Sequence, residues 1–239
     1  DSVRVRDSKI VRDAVHGFLR LHPHEIALID TPIFQRLRYI HQTGLAYLVY
    51  PGMKHTRFEH SLGVAHVAEL MLARLQQKHP DDIDLREIQL VRLAGLIHDL
   101  GHTVFSHLGE TVMDERFSGK FNMIKRATVQ GTERYFEEAS SGEILSYLIA
   151  TAPKLQELFD KLISEYKTSG CALKSEDLVR AAGLVVGRIS DPECHQYLAD
   201  IINGSFDADK LDYIPRDCHF SGIRAEVDLA RIIQGLDWV

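Results

Sequence analysis

From Glu59 to Gln77 the apolar residues Leu62, Val64, Val67, Ala68, Met71, Leu72 and Leu75 return every three or four positions, and Arg74, Gln76 and Gln77 close the stretch with polar side chains. Only a helix gathers such a set on one face, so the segment predicts a helix of about five turns. A second segment of this kind runs from about Leu85 to Leu100, with Ile88, Val91, Leu96 and Ile97 apolar and Gly101 as its stop signal. His98 and Asp99 then fall in its last turn. Helical periods also cover Ile26 to Gln42, Thr132 to Ala139, Ile144 to Lys167, Ser175 to Val186 and His195 to Ile202. Pro32 lies near the start of the first of these, where a proline is tolerated. Val5 to Leu21 is shorter in pattern and β-branched, with Gly17 as punctuation, and predicts a small hairpin. Phe117 to Gly131 is the least regular stretch and reads as a loop. The expected fold is all-α, a helical bundle with a small N-terminal β-hairpin.

At 239 residues and 45% hydrophobic content the chain can bury a substantial core, and no repeat or linker divides it. Residues 1–239 are expected to form a single domain. No run of about 18 apolar residues is present, so no membrane span is expected. Asp1 to Arg12 alternates charged and apolar residues and lacks the apolar stretch of a signal peptide. Cys171, Cys194 and Cys218 are odd in number and irregular in spacing, which fits spectators in a reducing compartment, the cytoplasm. A formal net charge of −6 argues against a broad basic face for duplex nucleic acid. An anionic substrate must therefore be attracted locally.

The chain holds 13 histidines, and His55, His60, His98, His102 and His107 fall within a short span. Adjacent side chains on a helix project about 100° apart, so His98 and Asp99 can share one ion only near a helix end, which Gly101 supplies. Imidazole with carboxylate suits zinc, iron, manganese or a similar divalent ion. Further ligands must come from elsewhere, and the candidates are His60 and a carboxylate of the run Asp207-Ala208-Asp209-Lys210-Leu211-Asp212. Three acidic residues interrupted by a lysine are an odd choice for a buried helix face; they suit a metal and phosphate site.

Three stretches carry a resemblance. They are Arg57-Phe58-Glu59-His60-Ser61-Leu62-Gly63-Val64, then Leu96 to His107 around His98-Asp99, then Asp207-Ala208-Asp209-Lys210-Leu211-Asp212-Tyr213-Ile214-Pro215-Arg216-Asp217. In this order they resemble the signatures of HD-domain deoxynucleoside triphosphate triphosphohydrolases, a helical family. Asp30 to Ile40 and Tyr50-Pro51-Gly52 extend the likeness, which covers about half the chain. Members of that family commonly continue beyond the position of Val239, so the resemblance implies a domain truncated at its C-terminal side.

The resemblance implies a metal-dependent phosphohydrolase that attacks the α-phosphorus of a nucleotide and releases nucleoside and triphosphate. It implies His60, His98, Asp99 and Asp209 as ligands of a divalent metal ion (Fe, Mn, Zn, Ni or Mg). It puts Gln42, Arg57, Lys210, Tyr213 and Asp217 on the substrate, and Arg57 and Lys210 supply the local positive charge asked for above. His102 and His107, with Glu110, are left for proton transfer. The family's further histidine after the HD motif has no counterpart, since no histidine occurs between His107 and His195. In the branch that couples an HD domain to a sterile alpha motif, Lys9, Asp30, Gln35 and Arg38 match positions that bind an activating guanine nucleotide. The implied partners are a nucleotide substrate, a nucleotide effector and further copies of the chain. The alternatives are an HD phosphohydrolase with another nucleotide substrate and a nucleotide-sensing module without turnover.

Overall fold

Two long helices, α3 (Arg57–Lys78) and α4 (Leu85–Ile97), lie side by side at the centre of the molecule. The carboxylate of Glu59 accepts from the Thr56 amide at 2.6 Å, and Asp84 and Glu87 cap α4 reciprocally. Both devices satisfy amides that a helix start leaves bare. The two helices touch backbone to backbone: a Cβ on Gly95 would stand 2.9 Å from the Ala65 Cα. From Gln89 to Ile97 every residue of α4 is buried, which is the signature of a helix enclosed on all sides.

The computed structural model describes residues 8–127, 139–187, 195–224 and 227–237, and the side chains of 125–127 are excepted. Strands β1 (Lys9–Asp13) and β2 (Gly17–Leu21) form the antiparallel hairpin, with Lys9 opposite Leu21 and Asp13 opposite Gly17. Helices α1 (Pro23–Ile29) and α2 (Pro32–Gln35) and a 3-10 turn at Arg36–Tyr39 follow. After α4 come α5 (His107–Ala127), α6 (Ser141–Ala150), α7 (Pro153–Tyr166), α8 (Asp177–Val185), α9 (Gln196–Asn203), α10 (Ala208–Ser221) and α11 (Leu229–Gly235). Helix α10 packs on α3, α8 on α4, and α6 on both α8 and α5. One apolar core runs through nearly all of them, and a smaller cluster of Phe121, Ala139, Ile144 and Val186 lies under α5.

The all-α class, the hairpin and the two central helices stand as expected, with the ends of α3 displaced by a residue or two. Four expectations need correction. Ile26 to Gln42 is not one helix: Thr31 is extended and Pro32 opens a second, because the residue before proline is driven out of the helical region. Pro153 splits Ile144 to Lys167 in the same way, at Ala152. The loop expected over Phe117 to Gly131 is helical as far as Ala127, with a non-helical Phe117 (φ −124°, ψ 16°) marking a kink. The run from Asp207 to Asp212 does enter a helix, α10, and Asp212 on it is fully buried. The helix expected over Thr132 to Ala139 falls outside the described residues except for Ala139, which is not helical. Helix α4 ends at Ile97, so His98 and Asp99 sit in the turn just beyond it. No helix among the described residues is long and apolar enough to cross a membrane.

Candidate metal centre and its cleft

His60 stands in the first turn of α3, His98 at the end of α4 and Asp209 in the first turn of α10, so three elements far apart in sequence converge. Their ligand atoms all lie within 4.8 Å of one another. His98 Nδ1 donates to the Gly95 carbonyl at 2.7 Å, and His60 Nδ1 to Asp212 Oδ2 at 2.7 Å. The two Nε2 atoms are thereby turned towards each other at 3.2 Å, with Asp209 Oδ1 2.8 Å from that of His60. Two imidazole lone pairs and a carboxylate converging on one point call for a positive centre there, a proton or a metal cation. The His60 pKa reports the same demand. Burial opposes its charge, but the hydrogen bonds of Asp209 and Asp212 raise it to about 10.

Asp99, the fourth expected ligand, lies at the edge: its Oδ2 is 3.7 Å from His60 Nε2 and its Oδ1 is 3.3 Å from His98 Nε2. Burial alone would raise this carboxyl, but Arg57, His98 and His102 hold it well below the ordinary range. Its Oδ2 accepts no well-directed hydrogen bond, although Arg57 Nη1 stands 2.7 Å away. Asp99 is thus ion-paired with Arg57 and stands beside the converging atoms of His60, His98 and Asp209.

Beyond these three residues opens a cleft of about 460 Å³. Gln42, Arg57, Lys210, Tyr213 and Asp217 all line it, so every substrate position expected from sequence reaches one space. The buried Arg57 donates through Nε to Ser106 Oγ at 3.0 Å, and its Nη2 has no partner. The Gln42 amide oxygen and the Thr43 hydroxyl are likewise buried and unpartnered. Asp217 accepts from His55 at 2.7 Å, and the His55 ring is stacked on Phe220. Lys210 is turned to Asp207 and the Gly204 carbonyl, at 2.6 and 2.9 Å.

Between α4 and α5 the chain carries the proton-transfer candidates. Phe105 and Ser106 both have positive φ, 74° and 50°, a conformation that non-glycine residues adopt at a cost of roughly 1–3 kcal/mol each. The turn they make brings Ser106 under Arg57 and starts α5 at His107. His102 is buried, its Nε2 3.0 Å from Asp99 Oδ1 and its Nδ1 in contact with Glu110. Burial would lower its pKa, but Asp99 and Glu110 raise it. His107 leans on the same carboxylate at 3.1 Å, with 81% of its side chain exposed. Burial would raise Glu110, yet the hydrogen bonds of His102 and His107 hold it far below the usual carboxylate range.

Residues 57–165 match the family profile of the HD domain. That stretch of the chain is an HD domain. It is 37% identical over 242 residues to the deoxynucleoside triphosphate triphosphohydrolase SAMHD1 of Gallus gallus, covering 95% of this chain and 36% of that protein. It is 34% identical over 248 residues to SAMHD1 of Homo sapiens, covering 97% and 36%. To the SAMHD1 homolog of Dictyostelium discoideum it is 32% identical over 233 residues, covering 96% and 40%. The chain thus spans little more than a third of the length of these curated relatives.

A second cleft, of about 350 Å³, lies under the hairpin, and Lys9, Asp30 and Arg38 line it with Phe58. Gln35 is not in that lining. Its side chain donates to the Ile29 carbonyl at 2.9 Å and accepts from Arg38 at 2.8 Å, while the Arg38 guanidinium lies 3.5 Å over the Phe58 ring. Several residues of the main site have no role of their own assigned by the sequence. Glu143 lines the cleft with a pKa raised by burial, and His16, Asp212 and Arg216 stand behind His60. Asp212 and Arg216 lie in the third resembling stretch, and their spacing, four apart on one helix, is the sign of their pairing.

Proposed function

We propose that residues 1–239 form one HD phosphohydrolase domain that hydrolyses (deoxy)nucleoside triphosphates to nucleoside and triphosphate. The observation that carries the reading is a cation-seeking cluster of His60, His98 and Asp209 at the wall of a cleft in which Arg57 offers an unpartnered guanidinium nitrogen. The similarity to proteins named deoxynucleoside triphosphate triphosphohydrolase supplies the substrate class.

A divalent ion on His60, His98 and Asp209, with Asp99 at its edge, would polarise a phosphoryl oxygen and make its bound water acidic. The remaining work falls to the side chains. Arg57, fixed by Ser106 and Asp99, meets phosphate charge with its free Nη2. Lys210 adds a second charge on swinging from Asp207. Gln42, Tyr213 and Asp217 hold the sugar and the phosphates from the cleft walls. A departing sugar alkoxide needs a proton, and His102, kept cationic by Asp99 and Glu110, is the buried acid facing the cleft, with His107 behind it.

Lys9, Asp30 and Arg38, with Gln35 supporting Arg38, form an effector pocket for a nucleotide. The chain assembles into homo-oligomers, for which the exposed Leu48, Val49, Phe105, Leu108 and Val112 offer apolar surface, and it works in the cytoplasm, where the free Cys171 and Cys218 are stable. The absence of a histidine between His107 and His195 favours a second reading, nucleotide binding without turnover.

The deciding experiment is to incubate the Mn²⁺-loaded protein with the common nucleoside triphosphates and identify products by phosphorus NMR. Deoxynucleoside and triphosphate are expected, and His98→Ala should lose both bound metal and turnover while keeping its helix content. Orthophosphate or pyrophosphate alone would overturn the triphosphate assignment. Binding with no product would leave the sensing module.

A further inference from the structure

Asp212 does not line the cleft, yet among the described residues it is a buried carboxylate that accepts four side-chain hydrogen bonds. Its Oδ2 accepts from His60 Nδ1 at 2.7 Å and from Arg216 Nε at 2.8 Å. Its Oδ1 accepts from His16 Nε2 at 2.6 Å and from Arg216 Nη2 at 2.8 Å. Arg216 donates its remaining Nη1 to Asp13 Oδ2 at 2.8 Å. Asp13 in turn uses Oδ1 to bind the amides of Val15 and His16, both at 2.8 Å, which shapes the turn of the hairpin. Asp212, Arg216 and His60 have no exposure at all.

We propose that Asp212, held by Arg216, His16 and Asp13, is a positioning residue that fixes His60 with its Nε2 towards the metal, and that the hairpin turn is thereby a structural part of the metal centre. The inference rests on His60 being a ligand, as read above. Both oxygens of Asp212 take two donors each, so this carboxylate acts as an acceptor alone. The nitrogen of His60 that meets it must carry hydrogen, and the electron pair of the ring is left on Nε2, where Asp209 and His98 converge.

Helix α3 is shaped for this arrangement. Gly63 follows His60 by three residues on the same face, and a Cβ there would stand 1.9 Å from Asp212 Oδ1 and 2.5 Å from Arg216 Nη2. An ion pair that served only to tie α10 to the core would need neither the imidazole on its inner oxygen nor a bare backbone at that point. His98 is oriented by a carbonyl of its own helix, whereas the device behind His60 joins residues 13, 16, 212 and 216.

The test is Zn²⁺ affinity, measured against a competing chelator, for the wild-type chain, Asp212→Asn and His16→Gln. The amide must present NH₂ to one pair of donors, so Asp212→Asn should weaken Zn²⁺ binding about 10–100-fold, the usual worth of an outer partner of a ligand. His16→Gln, at the hairpin turn, should weaken it by a smaller factor. In the Zn²⁺-loaded wild type, nitrogen-15 NMR should find the His60 proton on Nδ1. A folded Asp212→Asn with wild-type Zn²⁺ affinity overturns the proposal, and so does a His60 that binds zinc through Nδ1, a result readable even if the variant does not fold. A wild-type chain that takes up no Zn²⁺ refutes the metal centre itself, a distinct failure.

Discussion

Arg92 and Arg216 are both buried, 1% and 0% exposed, and both reach the N-terminal hairpin, Arg92 through the carbonyl of Arg20 and Arg216 through Asp13. Around Arg92 the charges close on themselves. Glu25 takes its Nε and Nη2 at 2.6 and 2.7 Å, Glu69 takes Nη1, and no polar atom of Arg92 or Glu25 is left without a partner. Around Arg216 the network runs on through Asp212 and His60 into a region where Arg57, Gln42 and Thr43 each keep a buried atom unpaired. Unpaired buried polar atoms each cost about 1–3 kcal/mol, so a fold keeps several together only where something else is to bind. Burial of charge alone is therefore a poor guide to function in this molecule; what separates the two clusters is whether the hydrogen bonds run out.

The largest effect expected from this contrast lies on the open side. His102→Ala should cut turnover about 10²–10⁴-fold with little change in metal content, because it removes the buried acid facing the cleft. His107→Ala, mostly exposed, should cost far less. Equal losses in the two variants, measured as kcat, would return the proton to His107 or to both. On the closed side, Arg92→Met should leave Zn²⁺ affinity unchanged and destabilise the fold by about 3–5 kcal/mol, the usual result of stranding one member of a buried ion pair. Denaturant unfolding measures the second and chelator competition the first; a weakened Zn²⁺ affinity would mean that the two clusters are one network.

The smallest effect concerns acid. His24 on α1 is buried beside the Arg92 cluster, and desolvation lowers its pKa to about 4 from an ordinary value near 6.5. Between those values the unfolded chain binds a proton that the folded chain refuses, so stability falls as pH drops through that window, by up to about 3 kcal/mol, and this contribution levels off below it. Unfolding free energies at a series of pH values should show the decline, and His24→Gln should flatten it. An unchanged slope in that variant would shift the acid sensitivity to other groups.

The sequence made the two central helices, the hairpin and the convergence of His60, His98 and Asp209 legible, because periodicity and motif order are properties of one dimension. The second half of α5 was not legible: Glu115, Arg116, Ser118, Gly119 and Lys120 are exposed, and a helix that buries so little of itself leaves no apolar period to read. The breaks at Pro32 and Pro153 were signalled by the residues themselves, and the apolar period on either side outweighed them. Asp212 stood in the acidic run, but its role behind His60 was hidden for another reason. A carboxylate is acceptable on a buried helix face only when donors surround it, and His16, His60 and Arg216 come from three separate elements.

Gly63 ends up with an unusual kind of importance, because it acts through atoms it does not have. The volume that its missing side chain leaves is where a carboxylate and a guanidinium sit. A screen for lost activity would score this position alongside His60, His98 and Asp209, although nothing in its side chain could ever reach a substrate. An internal glycine ordinarily does no more than weaken its helix, but here the empty space is itself a fitted part.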